Sequence, residues 1–499
     1  MMEAMRQEII LGSVFVYLLI CIGVGLWAMR RTKSAGDFFV AGRGLGPIIV
    51  SMAVFSSTLS GFGFVGGPGL VYATGMSSVW MAVCSALGYA TGFYLVSKRI
   101  RMIAEVRDTM SLPDVVFARY GSEAARLLTA GTILLGVLGY LATQILAMAL
   151  VLQSLLAGTD MFADISLFTC VVISSAVLIF YCVTGGIIAS VYTDLVQGIV
   201  MIISGALVVI TAAHVFDGGL AEASNIMLAN DGEDIMPFGT LGMMASLTWF
   251  FLFGLGLAGQ PHVATKMMMN RNLADNRLIL PITVFGYVIA AMLWVSVGMV
   301  MRALVLGDVS GPLGAPDEAA PMFLSTYAHP LLAGIVFAGL FAAIMSTADS
   351  FLNIGAAAII HDIPKAVRGK SLNNELFWAR LAAVGLSVIA AGFALYSYYE
   401  NDELVALLGA FGWGTFAAAL VPVVLVGLNW KQASARAAVV AISASLIINF
   451  SAQVFQVKIA YGISAGFLSM LTSLILFIGL SLLEKPKKLP KDIDRIMEL

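Results

Sequence analysis

Residues 61–68 read GFGFVGGP and residues 254–261 read GLGLAGQP, so Gly-x-Gly-x-x-Gly-x-Pro occurs twice in one chain. A dinucleotide-binding fingerprint of this form needs a strand before it and an acidic residue further on within a βαβ unit. Neither copy has that setting, and a nucleotide role is set aside. Close helix packing through small residues would explain either stretch alone. The pair demands more. Glycine frees the backbone and proline removes a donor, so both helices can be interrupted inside the apolar layer. Carbonyls and amides released there are tolerated only where they line a cavity or hold something. Matched Gly/Pro interruptions in two halves of a membrane chain point to a transporter binding site built from broken helices.

The surrounding sequence supplies the membrane. Of 499 residues, 60% are hydrophobic and only 11% charged, with a mean hydropathy of +0.96. Soluble domains carry roughly 25% charged residues. Runs of about 20 apolar residues suit helices crossing a core of about 30 Å, whereas barrel strands would be shorter and alternating. The reading is an all-α membrane protein of about 13 transmembrane helices. They fall near 9–28, 44–72, 77–97, 126–156, 164–185, 188–214, 239–262, 278–305, 329–362, 376–398, 402–427, 434–455 and 459–482. The glycine motifs then sit in the second and seventh spans, five apart and therefore opposite in direction. That predicts an inverted five-plus-five repeat, 44–214 and 239–427. Residues 1–43 form a first helix and inner loop, and 428–499 two peripheral helices and a basic cytoplasmic tail.

Orientation follows from positive charge. With the N-terminus outside and the C-terminus inside, segments 29–43, 98–126, 263–277, 363–380, 428–436 and 483–499 collect nearly all Lys and Arg. Arg6, Arg302 and Lys458 remain at the outer side, and the outer stretches 215–238 and 306–327 carry acids only. The first apolar run is too long for a signal peptide and leads straight into Arg30 and Arg31, so it reads as a true span. Cys21, Cys84, Cys170 and Cys182 all lie in spans without paired spacing, as packing residues do. The tail with Lys485, Lys487, Lys488 and Lys491 reads as a solvated, lipid-facing end.

Two acids fall inside apolar spans: Asp194 in YTDLVQ and Asp349 in MSTADS. An acid at a helix centre costs roughly 2.5–3.5 kcal/mol on insertion scales, so it faces a cavity or a partner. Ser346, Asp349 and Ser350 share one helix face and offer oxygen ligands suited to a hard cation. Helical hydroxyls also bond back to carbonyls one turn earlier, so this face alone reads either way. SSTLSG at 56–61, just before the first glycine motif, can supply an opposite wall of carbonyls from Ser56 and Leu59. Carbonyls and hydroxyls do not titrate near neutral pH, which favours sodium over a proton. Asp194 and Asp349 keep a proton-coupled carrier as an alternative.

In order along the chain stand DFFVAGRGLG (37–46), SLPDVVFARYG (111–121), VTGGIIASVYTDLVQ (183–197), GQPH (259–262) and AAIMSTADS (342–350). Together they resemble the sodium:solute symporter family, which includes bacterial proline, pantothenate, sialic acid and sugar carriers. The resemblance implies a LeuT-type core, a sodium-coupled symporter of the bacterial inner membrane and Na+ as the coupling ion. It implies sodium ligands at the carbonyls of Ser56, Leu59 and Ala343 and the hydroxyls of Ser346 and Thr347. Asp194 matches a family acid near this site, and with Ser346, Asp349 and Ser350 it would form a second cation site. Thr58 stands where the proline carriers have an essential acid, so their sodium chemistry does not transfer whole.

The solute pocket is expected between the two broken spans and the fourth span. Its candidates are Ser60, Phe62 and Phe64, then Tyr140 and Gln144, which share a face, then Phe253 and Leu257. Each aromatic is also ordinary helix packing taken singly, and His262 reads as structural. The site is small and apolar with few polar groups, while a free helix end suits a carboxylate. A small monocarboxylate or amino acid is favoured over a hexose. The remaining alternatives are a sugar-type sodium symporter and a membrane solute sensor, the latter needing a partner. Nothing suggests a nucleic-acid partner. Paired catalytic acids, a histidine cluster and an activated nucleophile are all missing from the sequence, with His214, His262, His329 and His361 scattered, so an enzyme is not expected.

Overall fold

The computed structural model describes residues 5–30, 39–159, 162–400, 405–455, 457, 459–486 and 488–498. Asp37 and Phe38 of the first family motif, Arg31, Lys458 and Lys487 lie outside the described residues. The chain begins with α1 (Arg6–Met29), followed by α2 (Pro47–Thr58), which proline opens at its first position. Leu59 then leaves helical geometry at φ −88°, ψ 77°. A wide π-type turn over Phe62–Gly66 leads into α3 (Gly67–Thr74), ended by Gly75 at φ +68°, a conformation that glycine adopts without strain. Next come α4 (Val79–Gly92), α5 (Lys98–Arg107), the short helix α6 (Leu112–Tyr120) and α7 (Glu123–Ala157). Ser111 and Ser122 cap α6 and α7 by accepting from the amides of Asp114 and Ala125.

Helix α8 (Leu167–Ala213) would be about 70 Å long if straight, more than twice the bilayer core. It is bent at Gly186, whose φ of 60° and ψ of −172° lie where only glycine is at ease. The second half contains α9 (Gly219–Asn230), α10 (Gly242–Trp249), α11 (Pro261–Met267) and α12 (Asn276–Leu306). After these follow α13 (Ala319–Thr326), α14 (Pro330–Ala357), α15 (Ile363–Arg368) and α16 (Glu375–Glu400). The chain closes with α17 (Val405–Leu420), α18 (Ala435–Val454), α19 (Ala465–Leu483) and α20 (Lys491–Met497). Among the described residues, 11 helical stretches are long and apolar enough to cross a membrane, and Pro47–Thr58 and Leu167–Phe180 are shorter apolar helices. The two short ones fall where the second and fifth spans were expected; Pro47–Thr58 is ended by the break at Leu59, and Leu167–Phe180 is the first part of the longer α8.

The second break does not fall where the first does. Wide and tight turns over Phe250–Leu255 and Gly256–Gly259 carry the chain to Gln260, which is extended at φ −76°, ψ 115°, before α11 begins. The first break precedes its glycine motif, whereas the second comes near the end of its motif. The glycines instead serve close approach. A Cβ on Gly67 would lie 2.3 Å from the Trp294 ring, and one on Gly256 would lie 2.8 Å from Trp413 Nε1.

Helix α14 is the central element, packed by α8, α1, α7 and α2. From Val336 to Ala358 every residue is buried, as expected of a helix apolar on all sides. At the C-terminal end of α12 the Arg302 guanidinium forks onto both Asp234 carboxylate oxygens at 2.8 and 2.6 Å, joining α12 to the acidic stretch 215–238.

Two expectations need correction. The C-terminal tail is not a free solvated end. Ile493, Ile496 and Met497 line one face of α20 and are buried. Asp492 forks onto Arg107, and Lys431 pairs with Asp494 and Glu498. Lys266, counted with the inner-loop cations, is 1% exposed inside the protein.

Replacing Gly67 by Ala should destabilise the protein by about 1–3 kcal/mol, because the buried indole of Trp294 has no room to retreat. Thermal denaturation in detergent reads this out, and an unchanged midpoint would contradict the packing described.

Candidate functional site

The break after α2 sits against the middle of α14. The Ser346 hydroxyl donates to the Ser56 carbonyl at 2.9 Å and to the Ala343 carbonyl at 3.1 Å. The Thr347 hydroxyl lies 3.0 Å from the carbonyls of Ser57 and of Ala343. Ser56, Ser57, Ser346 and Thr347 are all fully buried. Carbonyls in the last turn of a helix lack intrahelical partners, and here those of α2 meet hydroxyls of another helix. The structure therefore gathers Ser56, Ala343, Ser346 and Thr347 into one oxygen cluster, with Leu59 at the break beside it. Ser57 joins them as a contact the sequence reading did not name.

Next to this cluster lies a buried ion pair. Lys266 Nζ is 3.0 Å from Asp194 Oδ2, 2.9 Å from Ser350 Oγ and 2.7 Å from the Ala53 carbonyl. The side chains of Lys266 and Asp194 are 1% and 0% exposed. Of the four residues expected to hold a second cation, Asp194 and Ser350 thus face the ammonium. Ser346 turns to Ser56, and Asp349 accepts from Asn353 Nδ2 at 3.1 Å. The sequence signal for Lys266 was its place in HVATKMMM, a lone cation in an apolar stretch directly after GQP.

On the other side of the break the aromatic residues assemble. Phe62 stacks on Phe253 with centroids 6.1 Å apart and meets Trp294 edge-on at 5.6 Å; Phe253 lies 5.5 Å from Trp413. Trp294 and Trp413 were not anticipated, since both sit in ordinary apolar runs. Phe64 is buried at 1% exposure. Leu257 faces α4 instead, where a Cβ on Gly88 or Gly92 would come within 3.0 and 2.9 Å of it. The polar groups are few. Tyr140 Oη lies 3.5 Å from Ser60 Oγ, and Gln144 Oε1 accepts from the Gly61 amide at 2.9 Å. The Phe62 amide donates to Ser60 Oγ at 3.2 Å. His262 packs on Phe351 at 4.6 Å, with neither ring nitrogen hydrogen-bonded.

Among the described residues, Asp114, His361 and Asp362 have ligand-type atoms within 4.8 Å of one another. Asp114 is already met by His361 Nε2 at 3.0 Å, Lys365 Nζ at 3.2 Å and Arg126 at 3.3 Å. Cationic side chains supply the charge a metal would bring, so the group is an ion-pair network that fastens α6 to the segment between α14 and α15.

A protein-family model for the sodium:solute symporter family matches residues 38–445. The chain belongs to the sodium:solute symporter family. It is thus a sodium-coupled solute symporter and a multi-pass membrane protein, not an enzyme. It is 27% identical to the osmoregulated proline transporter OpuE of Bacillus subtilis over 508 aligned positions, covering 99% of each chain. It is also 27% identical to the sodium/pantothenate symporter of Escherichia coli, over 87% of this chain and 88% of that one. A solved Na+-coupled sialic acid symporter, described as substrate-bound and outward-open, superposes with a TM-score of 0.79 at 21% identity, covering 97% and 99% of the two chains. A nucleobase-cation-symport-1 family transporter in a closed conformation gives a TM-score of 0.55 at 14% identity, over 93% and 99%. These likenesses establish a LeuT-type fold.

Burial raises the pKa of Asp114, but the hydrogen bond and charge of His361 and the charge of Lys365 outweigh it and hold the carboxyl at about 2. Its contribution is therefore present above the unfolded value of about 3.9 and lost as pH falls through about 2, on the order of 2 kcal/mol. In acid titrations of stability the wild type should lose this increment below about pH 4, and Asp114→Asn should lack it. Parallel curves for the two proteins would contradict the network.

Proposed function

We propose that this symporter imports a small organic acid, a monocarboxylate or an amino acid, together with sodium by alternating access. Sodium is held between the break after α2 and the middle of α14. Its ligands are the carbonyls of Ser56, Leu59 and Ala343 and the hydroxyls of Ser346 and Thr347. The observation that carries this reading is the contact of the Ser346 and Thr347 hydroxyls with carbonyls of the broken helix. An ion entering that cluster replaces hydrogen bonds with oxygen coordination and ties the broken α2 to α14.

The solute lies beyond the break, between Ser60, Phe62, Phe64, Tyr140, Gln144 and Phe253, with Trp294 and Trp413 extending the aromatic wall; Leu257, packed on α4, is left out of it. The amides of Gly61 and Phe62 begin the helix after the break and point at Gln144 Oε1 and Ser60 Oγ. A substrate carboxylate can take the place of those oxygens, at a helix end where negative charge is favoured. Proline, pantothenate and sialic acid, named for the relatives, all carry a carboxylate, which supports the class. The scarcity of other polar groups argues against a hexose.

In this reading the chain crosses the bacterial inner membrane thirteen times, with the N-terminus outside and the C-terminus inside. Residues 44–214 and 239–427 are the inverted repeats. The Arg302–Asp234 clamp at one end of α12 and the cationic inner segments at the other support that orientation.

In a thermal-shift screen, one carboxylate should raise the midpoint in sodium and not in potassium, as a ligand of the folded state does. The Ser346→Ala/Thr347→Ala protein should remain monodisperse but need at least about tenfold more sodium for the same shift, since losing two ligands costs more than about 1.4 kcal/mol. Unchanged sodium activation in that variant would refute the ligand assignment.

A further inference from the structure

Lys266 is not needed by the sodium and solute sites described, yet it is the most heavily buried cation among the described residues. It sits on α11, directly after the second break. Its three acceptors come from three other helices: Asp194 on α8, Ser350 on α14 and the Ala53 carbonyl on α2. An ammonium has three protons to donate, and each finds an oxygen at 2.7–3.0 Å. A carboxylate, a hydroxyl and a carbonyl are the oxygen types that also bind a hard metal cation. The position touches the sodium cluster through one turn of α14, because Ser350 Oγ donates to the Ser346 carbonyl at 2.9 Å.

We propose that the Lys266 ammonium is a tethered second cation. It fills a cage of Asp194, Ser350 and the Ala53 carbonyl that would otherwise take a second sodium ion, and so fixes coupling at one sodium per solute. The proposal rests on the sodium-coupled reading of the neighbouring cluster. Its physical basis is charge balance at 0% exposure. A buried carboxylate left without a partner is strongly unfavourable, so Asp194 requires a cation beside it throughout the cycle. Two cations in one cage would repel strongly in a medium of low dielectric, so the ammonium excludes sodium from it. A covalently held charge returns with α11 after each cycle. Unlike a sodium ion, it draws nothing from the gradient.

The test is equilibrium binding of radioactive sodium to the purified full-length protein, without solute. The wild type should bind one sodium ion, with a Hill coefficient of one. Lys266→Gln should bind two, and Ser346→Ala/Thr347→Ala in that background should return the count to one. The charge-neutral pair Asp194→Asn/Lys266→Gln, which orphans no carboxylate, guards against a single variant that fails to fold. It should keep one sodium ion. Two sodium ions on the wild type, or one on both wild type and Lys266→Gln, would overturn the tether and leave the sodium reading standing. Two on the charge-neutral pair, or none, would also overturn the tether, because Asp194 would then not define a separate cage. No sodium on any form would overturn both readings. None on the wild type but one on Lys266→Gln would support the tether and refute the neighbouring sodium cluster.

Discussion

A polypeptide that stops being helical inside a bilayer exposes carbonyls and amides that no lipid can satisfy. That constraint organises this protein. The break at Leu59 and Ser60 releases the last carbonyls of α2 and the first amides of the helix beyond it, and the structure answers each set differently. The carbonyls of Ser56 and Ser57 meet the hydroxyls of Ser346 and Thr347. The amides of Gly61 and Phe62 meet Gln144 Oε1 and Ser60 Oγ. One side of the break is thus rich in oxygen acceptors and the other in donors. A cation and an anion can be held a few residues apart on one interrupted helix.

The remaining architecture keeps those contacts in register. Helix α14 has to be buried on every side to bring Ser346, Thr347 and Ser350 to α2 and to Lys266. Glycines let the broken spans approach their neighbours closely, with Gly67 against Trp294 and Gly256 against Trp413. Lys266 binds α11 to α8, α14 and α2 through one ammonium, so both broken spans are fastened to the same pair of helices. The Asp114–His361–Lys365 network and the docked tail join further elements, and Arg302 with Asp234 does so at the C-terminal end of α12.

Much of this was legible in the sequence, for identifiable reasons. Apolar runs of membrane length gave the helices, and the duplicated glycine motif led to the two interrupted spans. Asp194 and the Ser346–Ser350 cluster stood out because polar groups in an apolar run need a partner. Other features depended on distances that a sequence does not carry. Lys266 looked like a loop cation because it follows the break and precedes Arg271. Only the path of α11 shows that it turns inward onto Asp194. The glycine motif promised breaks at matched positions, but they fall before the motif in one half and near its end in the other. Glycine permits a break and permits close packing, and a one-dimensional pattern does not separate the two. Trp294 and Trp413 were hidden as apolar residues among many. In sequence the tail reads as solvated because its lysines outweigh the Ile493–Ile496–Met497 stripe, whose effect depends on a surface formed elsewhere in the fold.

Sodium bound where the broken α2 meets α14 should change how those two segments exchange their amide protons. Hydrogen–deuterium exchange of the purified protein, compared in sodium and in potassium at equal ionic strength, tests it without knowledge of the solute. Coordination by the carbonyls of Ser56 and Leu59 should slow exchange selectively at residues 56–64 and 343–350 in sodium. Identical exchange in these two stretches, or protection confined to other helices, would rule out sodium at this contact.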